Sequence, residues 1–290
     1  MPGLTGPGGS GSLRDSGMVP IPVCGVDVGQ YWHWLIAISL FVALLERLSP
    51  WRPEQGTARP GLIQDLFYLA LNGHGLSLLV AMVAFEVPLP RTDWAQSWPV
   101  AVQFLVMLVG LDLLQWCIHN LLHRVPFLWQ FHKLHHSSVE LDWARNFRFH
   151  WVEALLYRAI QYVPLGLMGF SPEVMMAHAV VGTLVGHLNH ANLDWDYGPM
   201  RYLVNNPRMH IWHHARDEVP SQGVNFGVIL CCWDWLFGTA WLPAERGRAP
   251  TRLGFEDLHQ YPEGLLGQLV YPIGSSPTPP EPQPSAQKRM

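Results

Sequence analysis

The chain has 290 residues and a net charge of −4, with 49% apolar and only 14% charged side chains. Soluble domains carry about 25% charged residues, so this balance points to a membrane, and the slight acidic excess lacks the basic footprint of a nucleic-acid binder. The four cysteines, Cys24, Cys117, Cys231 and Cys232, make neither a CxxC pair nor a spaced disulfide framework.

In chain order, residues 1–20 are rich in Gly, Ser and Pro and read as a disordered tail rather than a signal peptide. A single membrane domain is expected over 21–274, followed by a disordered Pro-rich tail over 275–290. Apolar runs at 30–48, 61–89 and 99–118 approach or exceed the length of a membrane span. The second is interrupted by Asp65 and by Asn72-Gly73-His74-Gly75, as one tilted or broken helix would be. A further run over 151–190, divided by Gly169-Phe170-Ser171-Pro172, reads as a helical hairpin. The fold class expected is therefore an all-α integral membrane protein of about four transmembrane helices. A cytosolic helical cap, 119–150 and 191–274, would hold a histidine-rich dimetal site.

Counting sides supports this topology. Arg47, Arg52, Arg59, Arg124, Lys133, Arg145 and Arg148 all fall on one side, which the positive-inside rule makes cytosolic. Every histidine cluster falls on that side too. The expected setting is a bacterial inner membrane or the endoplasmic reticulum.

Ten of the 15 histidines lie in four tight groups. They are His119 and His123; His132, His135 and His136; His187 and His190; and His210, His213 and His214. On a helix, residues three or four apart share a face, so each group can aim its imidazoles at a metal. Neutral imidazole suits Fe, Zn and Cu. Ten ligands are too many for one ion and suit two. Of the remaining five, His33, His74, His178 and His259 read as interfacial or hydrogen-bonded residues. No His-Glu-x-x-His motif and no Gly-x-Ser-x-Gly elbow appears. A metal transporter would string its ligands across the bilayer depth, and a non-catalytic metal-binding scaffold would have lost some of them.

With these groups in view, the sequence resembles the fatty acid hydroxylase/sterol desaturase superfamily of membrane di-iron enzymes. The family pattern HxxxH, HxxHH and HxxHH, with an extra pair before the last motif, falls on the ten histidines. Asn225-Phe226-Gly227 and the segment Trp233-Asp234-Trp235-Leu236-Phe237-Gly238-Thr239 are similar to its closing motif. Asn120 and the sequence His150-Trp151-Val152-Glu153 depart from the family's usual Arg and His-Pro-x-acid. The resemblance implies two Fe ions (Zn if misloaded), O2 as co-substrate, and hydroxylation or desaturation of a C–H bond in a lipid such as a sterol or fatty acyl chain. It implies that Asp112, two turns before His119, accepts an N–H from a ligand imidazole, and His150 is expected beside the ligands. Trp143, Phe147, Phe149, Trp212 and Trp235 are candidate walls for an apolar substrate slot. Electrons would come from an external donor, a ferredoxin or a cytochrome b5-like protein with its reductase. Arg145, Arg148 and Arg216 are candidates for its docking surface.

Overall fold

A computed structural model describes residues 18–20, 28–56, 58–76, 88–90, 92–245 and 247–273. The tail expected over 275–290, most of that over 1–20, and 77–87 of the second apolar run lie outside the described residues. The architecture is helical. One short ribbon pairs β1 (Met18–Pro20) antiparallel with β2 (Pro88–Pro90), so the last three residues of the expected N-terminal tail are paired strand.

Helix α1 (Val28–Leu48) carries a stripe of buried side chains, Tyr31, Leu35, Ile38 and Val42, at helical spacing. Its other face exposes Trp34, Leu40, Phe41 and Leu44. Helix α2 (Leu62–Ala70) runs into a π-turn (Leu71–Gly75) where the sequence interrupts its apolar run. Gly73 lets this turn pack closely on α1, where a Cβ would lie 2.9 Å from the Leu35 side chain.

Helix α3 (Val100–Arg124) is longer than its apolar run. The face that buries Met107, Leu111 and Gln115 continues every four residues into His119. Val125-Pro126 ends it, since proline disfavours a helical predecessor but starts the next helix well. Helix α4 (Pro126–His136) follows.

The expected hairpin is present as α5 (Trp151–Leu167) and α6 (Pro172–His190). Ser171 Oγ accepts from Val174 N at the start of α6. Tyr31, Met107, Leu111, Leu165, Val174 and Met175 form a shared core among α1, α3 and the hairpin. The cap adds α7 (Pro207–His213), α8 (Cys232–Phe237) and α9 (Leu265–Val270). Two described stretches, Gln30–Leu48 and Val100–Arg124, are long and apolar enough to cross a membrane.

Three of the arginines counted for topology do not face solvent. Arg59, Arg145 and Arg148 converge on Asp65, which is fully buried, at 2.7, 3.1 and 2.6 Å. Arg59 also pairs with Asp142. A buried charge needs such partners, and here they tie α2 to the segment between α4 and α5. Arg145 and Arg148 are therefore structural, which removes them from the expected docking surface.

Candidate metal centre

Nine of the ten grouped histidines come together at one end of the helices, in two sets. His119, His123, His132, His136 and His213 form the first, and His135, His190, His210 and His214 the second. Within each set the ring nitrogens lie within 4.8 Å of one another. The HxxHH triplets are each divided. His132 and His136 serve the first set and His135 the second, whereas His210 and His214 serve the second and His213 the first. Positions i and i+4 share a target and i+3 swings to the neighbouring one, so each short helix contributes to both sets. The sets are adjacent: the His136 and His214 rings lie 4.4 Å apart.

His187 stands apart from the nine, contrary to the expected ligand set. Its Nε2 meets Ser39 Oγ at 3.0 Å and its Nδ1 faces Asn146 Nδ2 at 2.8 Å. With α1 on one side and the turn before α5 on the other, this ring joins helices.

The first set fits a metal ion by its orphaned atoms. Nε2 of His119, His123, His132, His136 and His213 is buried in every case and has no hydrogen-bond partner. Unpaired buried nitrogens are costly, and five converging ones call for a shared cation. Three of the opposite ring nitrogens are held. His119 Nδ1 donates to the Phe226 carbonyl at 2.8 Å, His213 Nδ1 to that of Val224 at 2.9 Å, and His132 Nδ1 to Glu153 at 2.7 Å. A proton on Nδ1 leaves Nε2 as the lone-pair donor.

In the second set the Nε2 atoms crowd one another. His190 lies 3.2 Å from His135 and 3.1 Å from His210, which lies 3.1 Å from His214. His190 Nδ1 donates to the Gly186 carbonyl, so its Nε2 bears no proton. A cation among these four atoms would accept the lone pairs together. Burial, followed by repulsion among neighbouring imidazoles, holds His135, His136, His210 and His214 well below the usual histidine range. Burial also lowers His213 to about 3, against the opposing pull of the Val224 carbonyl. Neutral rings are the form that binds metal.

The two expected auxiliary residues act differently. Asp112 accepts from Ile229 N, Leu230 N and Trp233 Nε1 at 2.8–3.0 Å, and not from an imidazole. Together with Asp234, which accepts from Phe226 N and Gly227 N, it fixes the turn whose carbonyl holds His119. His150 caps α5 through Val152 N, while its Nε2 reaches the Leu269 carbonyl. The acid that does hold a ring is Glu153, which the sequence reading noted only as part of a departure from the family's pattern. Asn225 is also decisive. It sits at φ 54°, between the two carbonyls that hold His213 and His119. Its side chain bonds the Met209 carbonyl and both polar groups of the Trp241 backbone.

A cavity of about 250 Å3 opens from the imidazoles and runs between α5 and α6. His119, His132, His135, His190 and His210 line its base. Phe147 and Phe149 line it as expected, but Trp143, Trp212 and Trp235 do not; the last two border a separate cleft in the cap. His178 also lines it, 2% exposed and with neither ring nitrogen partnered, where a hydrogen-bonded residue was expected.

A family model for fatty acid hydroxylases matches residues 104–239, which include all ten grouped histidines. The chain is 29% identical over 261 residues to an ornithine lipid hydroxylase, OlsE, of Rhizobium tropici, covering 85% of this chain and 77% of that protein. It is 31% identical over 225 residues to an alkylglycerol monooxygenase of Danio rerio, covering 73% of this chain but only 48% of that protein. A very-long-chain aldehyde decarbonylase, GL1-10, of rice is 24% identical over 238 residues, covering 73% of this chain and 77% of that protein. No solved structure matches. The family-model match and these hydroxylase and monooxygenase relatives place residues 104–239, with all ten grouped histidines, in the fatty acid hydroxylase/sterol desaturase superfamily of oxidoreductases.

Proposed function

We propose that this chain is a membrane-bound, O2-dependent di-iron oxygenase that hydroxylates a C–H bond of a lipid. The observation that carries this reading is the convergence of nine imidazoles, eight of them buried, in two adjacent sets at the base of a cavity. Bound iron would supply O2 activation there. The protein's own work is positional. Glu153 and the carbonyls of Phe226, Val224 and Gly186 fix four ring orientations, and burial keeps water from the ligand nitrogens.

In this reading α1, α3 and the hairpin cross the membrane with the second apolar run, and the metal end faces the cytosol. The lipid enters the cavity from the bilayer, and electrons arrive from a separate ferredoxin or cytochrome b5-like donor. Hydroxylation is favoured over desaturation because OlsE and the alkylglycerol monooxygenases are named for it. A non-catalytic scaffold fits poorly with so complete a set of converging nitrogens. A transporter fits poorly with ligands confined to one end of the helices.

The test measures metal per chain in detergent after expression with iron, alongside oxygenated lipids in the expressing cells. The expectation is about two ions per chain, clearly fewer in His135→Ala and His213→Ala, and loss of the oxygenated lipid in both variants. A folded, metal-free parent chain, or undiminished lipid oxidation in both variants, would overturn the assignment.

A further inference from the structure

Resting on that reading, we infer that the cavity takes a lipid with an anionic head group, a carboxylate or phosphate, which Arg158 binds beside the metal end. Arg158 lies five residues beyond Glu153 on α5, roughly 7.5 Å farther along the axis from the ring that Glu153 holds. It lines the cavity. Its hydrogen-bond partner is the Asn72 carbonyl in the π-turn, and no carboxylate among the described residues forms an ion pair with it. Elsewhere this chain neutralises its buried arginines, as with Arg59, Arg145 and Arg148 at Asp65. Glu153, the nearest acid along the helix, is engaged by His132. A charged side chain at mid-helix in a membrane hairpin is expensive and faces a functional cavity. The planar guanidinium fork matches a carboxylate or phosphate.

Several other polar atoms of the cavity also lack partners among the described residues. Both ring nitrogens of His178, Oε1 of Gln115 and Oδ1 of Asn189 are buried and unpaired. A bare hydrocarbon filling this space would leave them so and would leave Arg158 without an ion-pair partner among the described residues. A head group that brings an anion and further hydrogen-bonding atoms satisfies both. The oxidised carbon then belongs to the head group or to the chain next to it, because that part of the lipid lies nearest the imidazoles. Neutral glycerol ethers are disfavoured on the same ground.

The test uses the full iron-loaded chain in detergent and compares equilibrium binding of an N-palmitoyl amino acid, its methyl ester, and the corresponding N-acetyl amino acid. The parent is expected to prefer the acid over the ester at least tenfold and to bind the short acid weakly. Arg158→Gln should abolish the acid preference while leaving ester binding in place, and Arg158→Lys should restore much of it. Equal binding of acid and ester by the parent, which needs no variant to fold, overturns the inference. So does an acid preference that persists in Arg158→Gln. Tight binding of the short acid would mark a free-anion site and overturn the lipid assignment. Iron content measured on the same samples separates the two readings: full iron without acid preference removes only this inference, and acid preference without iron removes only the oxygenase.

Discussion

Glu153 illustrates how much of a metal site rests on atoms that never touch the metal. Its carboxylate accepts a hydrogen bond from Nδ1–H of His132 and so presents the Nε2 lone pair to the first set. Removing such a partner lowers metal affinity by about 10–100-fold. Glu153→Ala should therefore lose metal to a chelator at correspondingly lower concentration, whereas His259→Ala, on an exposed turn, should match the parent. Unchanged affinity in Glu153→Ala would mean that packing orients His132 without the acid. The pattern of histidines was legible from spacing, because imidazoles three and four apart on a helix must share a side. The fate of His187 was not. Its spacing from His190 suits a ligand, and only the neighbouring Ser39 and Asn146, distant in sequence, reveal that its two nitrogens are engaged.

At the scale of elements, the turn carrying Val224, Asn225 and Phe226 is the least regular part of the site and one of the most constrained. Two ligand rings hang from its carbonyls. Asparagine tolerates the left-handed backbone at position 225 better than most residues, and its side chain spans α7 and the strand-like segment at Trp241. Asn225→Ala removes three hydrogen bonds, a loss of about 3 kcal/mol at roughly 1 kcal/mol each. The expected result is a lower unfolding midpoint in detergent and reduced iron content. Asn225→Gly, which keeps the backbone conformation open, should fall between the two. Metal retention equal to the parent in Asn225→Ala would show that the carbonyls are placed by Asp112 and Asp234 alone. The long helices α1, α3, α5 and α6 were readable from apolar runs and from the punctuation at Ser171-Pro172. The turn was recognised only as a motif, since nothing in residue types announces which carbonyl will face which ring.

For the whole molecule, the decisive question is which ends of the helices share a side of the membrane. The hairpin joins a turn at Ser171 to a metal end at His190, so residues near these points should lie on opposite faces. Single cysteines replacing Glu173 and Ser221, both exposed, can be probed with a membrane-impermeant thiol reagent on sealed vesicles, in a chain freed of native cysteines. Labelling from opposite sides is expected. Labelling of both from one side would make the hairpin re-entrant and leave Gln30–Leu48 and Val100–Arg124 as the crossing helices. The positive-inside argument is weaker than its count suggested, because Arg59, Arg145 and Arg148 are consumed by Asp65 inside the protein. Apolar side chains on α1 and α3, among them Leu40, Phe41, Leu105 and Val109, still face outward as lipid-facing surfaces do.

Local periodicity was enough to read the long helices, the apolar stretches fit to cross a membrane and the histidine groups able to share a metal, because these depend on residues close together in the chain. Long-range pairing settled the remainder. The division of each HxxHH triplet between two sets depends on where α3, α4, α6 and α7 meet. The substitution of Glu153 for Asp112 as the acid holding a ring depends on α5 lying against α4. The burial of Arg145 and Arg148, and the placement of Arg158 in a cavity whose acid, Glu153, is engaged by His132, depend on which carboxylates the fold delivers to each arginine. Charge and hydrogen-bonding capacity are properties of a residue, but their satisfaction belongs to neighbours that the chain brings from more than 80 positions away, as Asp65 is brought to Arg148.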